Sequence, residues 1–177
     1  KEPFTPLTYA LNFYRPPHRE QIEWSFPVHY KSLHFQSPCP ETKAVMEVMD
    51  HGRPTFLYSL HNAGFCGVYF YVSRPLPGLF PRLRRVVTSQ GRPIHQGEPE
   101  VPYLKRFDEG VFSLFGVQET YDYLARNLGE DPAPFIEAGT SSDDYLKTLT
   151  SGYTLVTEVP YYFDPVLQDR SPAGISR

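Results

Sequence analysis

Apolar and polar positions along the chain change period from block to block, and each period predicts a different element. Residues 8–14 (Thr-Tyr-Ala-Leu-Asn-Phe-Tyr) are dominated by β-branched and aromatic types and predict a strand. From 15 to 36 no period holds, and Pro16, Pro17 and Pro27 exclude a long helix. Trp24, Phe26, Tyr30 and Phe35 anchor that stretch by burial, so it reads as a long ordered loop that shapes a pocket. Helical spacing then sets in at Pro40-Glu41, a proline and an acid suited to a first turn. Val45, Met46, Val48 and Met49 form its apolar stripe, and Gly52 stands where a C-terminal cap belongs. Residues 55–60 predict a buried strand that delivers His61 at its end. A turn at 62–64 leads to a second strand over 66–73.

The second half predicts three helices and one strand. Residues 78–88 carry Leu79, Phe80, Leu83, Val86 and Val87 at helical spacing, with Arg82, Arg84 and Arg85 on a solvated face. Residues 92–105 are rich in proline and glycine and read as loop. A helix over 117–128 is closed by Gly129, and one over 142–150 starts from a Ser141/Ser142 cap with Asp143 and Asp144 in its first turn. Residues 153–158 give a last strand, stopped by Pro160. Helix–strand alternation with short links predicts an α/β layered fold. No internal repeat, low-complexity tract or domain boundary interrupts residues 1–177, which read as one portion of a single domain.

Composition narrows the function. The 177 residues are 40% hydrophobic and 21% charged, a globular balance. A net charge of −3 and a pI near 6.1 argue against a nucleic-acid binder and against a polybasic membrane binder. No apolar run approaches the roughly 20 residues a membrane helix needs. Cys39 and Cys66 make no disulfide framework and no CxxC zinc pair. Neither fixes a compartment.

Two positions stand out chemically. His61 follows one apolar strand and Glu158 closes another, and ligands in open α/β sheets sit beyond strand ends. Taken singly, each has a plainer account: a packed histidine and a solvated carboxylate. The HxxE spacing at His95–Glu98 falls in a flexible loop with Gly97 and Pro99, a poor frame for metal ligands. Cys66 lacks an activating neighbour in sequence and reads as a small buried hydrophobe. No GxSxG elbow, GxxxxGK[ST] loop or GxGxxG turn is present.

The order of four segments links the two positions. Tyr9-Ala10-Leu11-Asn12-Phe13-Tyr14-Arg15 is followed by Pro40-Glu41-Thr42-Lys43-Ala44, then by Leu57-Tyr58-Ser59-Leu60-His61-Asn62. The last is Tyr153-Thr154-Leu155-Val156-Thr157-Glu158-Val159-Pro160. From residue 8 to about 163 the chain resembles the zinc carboxypeptidase family of metallopeptidases, in its divergent bacterial form. The resemblance implies a three-layer α/β/α fold around a mixed twisted sheet, and hydrolysis of a peptide or amide bond near a substrate terminus. It makes His61 the later zinc ligand and Glu158 the general base. It makes Asn12, with Arg15, the reader of the substrate's terminal carboxylate. In the family that asparagine and arginine are adjacent, whereas Phe13 and Tyr14 intervene here. The family's first two zinc ligands, an HxxE motif, lie upstream of the asparagine segment. The expectation is therefore a chain read from its middle, whose missing N-terminal segment or partner chain supplies HxxE. A metal-free binding module of the same fold is the alternative. Either way, the sheet should show an uncovered apolar edge.

Overall fold

The computed structural model describes residues 5–64, 66–162, 169 and 171–172. Lys1 and the end of the resemblance at residue 163 lie outside the described residues. Along the chain run α1 (Pro6–Asn12), β1 (Val28–Tyr30), β2 (Leu33–Phe35), α2 (Pro40–Gly52), β3 (Phe56–Ala63) and β4 (Tyr69–Val72). Then come α3 (Phe80–Ser89), β5 (Arg106–Asp108), β6 (Val111–Ser113), α4 (Val117–Leu128), α5 (Ser142–Leu149) and β7 (Tyr153–Pro160). The fold is mixed α/β. A five-stranded sheet has the order β3-β7-β4-β6-β5, and β1 and β2 form a separate antiparallel pair. β4 is antiparallel to β7 and parallel to β6, which is antiparallel to β5, so the sheet is mixed. Among the described residues no helix is long and apolar enough to cross a membrane.

The chain divides into two compact units. The first comprises residues 1–57 and 114–154 and holds two apolar clusters. Phe26, Met49 and Leu146 form one, with Met46, Leu57, Tyr145 and Leu149 packed on it. Val28, Leu33, Val117 and Tyr121 form the other, joining the β1–β2 hairpin to α4. Under α2, the Ser25 and Thr42 hydroxyls share a buried hydrogen bond of 2.6 Å. The second unit comprises residues 58–113 and 155–177. Its core is the fully buried β4 with Val111, Phe112, Phe80 and Val87.

Several expectations are corrected. Residues 8–14 do not form a strand: Pro6–Asn12 is helical, because Thr5 accepts from Thr8 N at 3.1 Å and Pro6 presets the first turn. None of the α1 residues is buried, so no strand pairing opposes this local capping. The stretch 15–36 is not a loop throughout, since it contains the β1–β2 hairpin. Along α2, Met49 is buried but Val45 and Val48 face solvent, Val48 at 72%. The helix ends on Arg53 in the left-handed region (φ 43), not on a glycine cap. β3 is not a buried strand: it lies at the end of the sheet order, with Phe56, Tyr58 and Leu60 exposed. Asn62 belongs to this strand and not to a turn. Arg84 does more than face solvent, pairing with Asp108.

One glycine is required by close approach. At Gly67 a Cβ would stand 2.5 Å from both His95 N and the Ile94 carbonyl carbon, where Val68 bridges Ile94. Backbone cannot yield as a side-chain tip does, so Gly67→Ala should cost about 1–3 kcal/mol. Urea unfolding measures this, and a cost under about 0.5 kcal/mol refutes the close approach.

Candidate functional site

The second unit gathers titratable side chains on one face of the sheet. β7 places Glu158 directly opposite Tyr69 of β4, with Tyr71 opposite Val156 two positions along. Side chains two apart share a face, so Glu158, Tyr69 and Tyr71 project together. β3 lies on the other side of β7 and brings His61 to the same carboxylate. His61 Nδ1 stands 3.1 Å from Glu158 Oε1.

Burial makes that contact consequential. Glu158 is only 6% exposed, lying within β7 instead of at a solvated strand end, which corrects the plainer account of this residue. A buried carboxylate needs hydrogen-bond donors, because leaving one unsatisfied costs several kcal/mol. His61 serves as one when Nδ1 carries the proton; Nε2 then holds the ring's lone pair. Its side chain is 41% exposed, so the pair has a buried end and a solvent-facing end.

A second carboxylate stands beside it. Tyr69 Oη donates to Glu100 Oε1 at 2.5 Å. The Tyr69 and Tyr71 rings meet edge-on at 5.5 Å, and Phe112 packs at 6.1 Å from the first and 6.2 Å from the second. Burial pushes both phenols far above their ordinary range, and the negative charge of Glu100, then of Glu158, pushes the same way. Both therefore stay neutral donors at physiological pH. The Cys66 thiol is also held up, first by burial and then by Glu100 and Glu158, so it is a thiol and not a thiolate nucleophile.

Of the other sequence candidates, His95 packs against Tyr69 with ring centroids 5.2 Å apart. Asn12 and Arg15 belong to the first unit, and both are engaged locally. Asn12 Nδ2 donates to Thr8 O at 2.8 Å, back-bonding its own helix. Arg15 Nε donates to Gln21 Oε1 at 2.9 Å, and its Nη2 pairs with Glu23 at 3.4 Å. Arg15 also lines an open cleft of about 730 Å³ with Tyr14, Pro16, His18 and Phe135. His95 Nε2 lies 3.0 Å from Glu98 O, so that HxxE motif makes a loop contact through backbone.

Glu100 carries no signal in the sequence. The alternation Tyr69-Phe70-Tyr71 put both phenols on one face, but nothing in a proline-rich loop marks Glu100 as their partner. Among the described residues no group of three or more histidine, cysteine or acidic side chains is arranged to hold a metal ion. His61 and Glu158 do not make a catalytic zinc site by themselves, since such sites need three protein ligands.

Comparison with known proteins adds no family. No family model, curated protein or solved structure matches the chain.

Proposed function

We propose that this chain carries the later part of the active site of a zinc-dependent, carboxypeptidase-like hydrolase acting on a peptide or amide bond near a substrate terminus. The observation that supports it most is the His61–Glu158 contact. Two residues 97 positions apart, each singled out by its own short motif, meet at 3.1 Å on neighbouring strands. In this reading the fold is the three-layer α/β/α arrangement of that family. His61 is one zinc ligand, and an HxxE pair from a further segment or a partner chain would complete the ligand set.

The chain's own chemistry is proton handling. Glu158 takes a proton from the attacking water and returns it to the leaving amine. Glu158 is buried, and the His61 N–H donates to its carboxylate between transfers. The neutral phenols of Tyr69 and Tyr71 line that face of the sheet, and Tyr69 donates to Glu100 without adding charge. Asn12 and Arg15 are the proposed readers of a substrate carboxylate; Arg15 must first leave Gln21 and Glu23, both contacts being partly solvated and easily exchanged.

The test is His61→Ala in the protein assembled with its HxxE-bearing segment. Stoichiometric zinc and release of a terminal residue from a peptide should both be lost. Retention of zinc and of hydrolysis overturns the proposal.

A further inference from the structure

A pair of histidines in the first unit plays no part in the reading above. β1 and β2 pair in the register Val28↔Phe35, His29↔His34, Tyr30↔Leu33. Strand alternation therefore turns Val28, Tyr30, Leu33 and Phe35 to one side and His29 and His34 to the other. The first four pack on α4 through Val117 and Tyr121. Both histidines are solvent-exposed. Their ring centroids are 5.4 Å apart at an interplanar angle of 80°.

That geometry suits a chelate. In a hairpin with a two-residue turn, the pair beside the turn exchanges the backbone hydrogen bonds. The next pair, here His29 and His34, is the closer-spaced kind, with Cα atoms about 4.5 Å apart. Two imidazoles so placed reach a common ion by rotating their exposed rings, with no change in backbone.

The hairpin is also held still. Tyr30 Oη donates to Asp122 at 3.0 Å, Lys31 Nζ pairs with Asp122 at 2.5 Å, and Ser32 Oγ donates to Asp131 at 2.8 Å. Lys31 Nζ lies 5.1 Å from the Tyr30 and Tyr121 ring centroids, on the α4 side of the hairpin, and pairs with Asp122 there. We propose that His29 and His34 form a two-imidazole site for a divalent transition-metal ion, Cu²⁺ or Zn²⁺, on the outer face of this hairpin. Imidazole nitrogen suits both ions, and Cu²⁺ binds such donors more tightly. Among the described residues no third histidine, cysteine or acidic side chain joins the pair, so water completes the coordination.

The experiment titrates Cu²⁺ alone into the full chain, by calorimetry and by electron paramagnetic resonance. A one-to-one complex with two imidazole nitrogens is expected. His29→Asn and His34→Asn should each weaken it about tenfold or more, because each removes the second tooth of a chelate. The double variant, which lacks both imidazoles, should bind more weakly than either single one, and His95→Asn should match the parent. Since both rings are exposed, the metal-free variants should keep the parent's melting temperature. Binding within twofold of the parent in either single variant, or one nitrogen in the parent complex, overturns the site.

Discussion

Glu158→Gln should lower kcat for terminal hydrolysis by about 10²–10⁴-fold while leaving KM and bound zinc near the parent values. The substitution is nearly isosteric. The glutamine oxygen can still accept from His61 Nδ1, so the 3.1 Å contact that orients the ring survives. What disappears is basicity, since an amide oxygen does not take a proton from water near neutral pH. Removal of a buried charge also spares the fold, because Glu158 is 6% exposed and a neutral amide is cheaper to bury there. Unchanged hydrolysis sinks the base assignment. Loss of zinc together with activity sinks it as well, because it recasts Glu158 as a carboxylate that only orients a metal-binding histidine.

The parts of this chain that were legible in sequence are those fixed by local chemistry. α4 was readable from its periodicity and from Gly129, which adopts φ 72 at its end. α5 was readable from Ser141, whose hydroxyl accepts from Asp144 N at 3.3 Å. α1 was misread because aromatic composition argued for a strand while the Thr5 cap and Pro6 decided for a helix. β5 and β6 escaped notice because each is three residues long and exists only through its partners, joined by a turn at Gly110 with φ 64. The exposed side of β3 shows the limit of composition: Phe56, Tyr58 and Leu60 look like core residues, yet strand order leaves them outside. The mixed strand directions of the sheet agree with expectation. The candidate site divides in the same way. His61 and Glu158 each ended a recognisable motif, but their meeting depends on β3 and β7 being neighbours, and Glu100 carries no local mark.

Phe112→Ala should be the most damaging core truncation in the second unit. Phe112 is 0% exposed and sits on β6, between β4 and β5 in the sheet order. Its ring touches Tyr69, Tyr71 and His95, with centroids 6.1–6.2 Å apart, so these neighbours cannot collapse without giving up the Tyr69–Glu100 bond. Truncating a buried phenylalanine costs about 3–5 kcal/mol when the surroundings relax only in part. That is a large share of the roughly 5–15 kcal/mol available to a typical domain. The melting temperature should therefore fall by roughly 10 °C, at about 2–4 °C per kcal/mol for a chain of this size. Phe112→Leu, which keeps much of the volume, should cost under about 1.5 kcal/mol. The two variants separate cavity from polarity: if both lose the same stability, the ring is not filling space beneath the tyrosines, and a loss under 1 kcal/mol for alanine overturns the packing argument. The near-ultraviolet circular dichroism of the alanine variant should also weaken, because Tyr69 and Tyr71 then lose the ring that fixes their orientation against Glu158's strand.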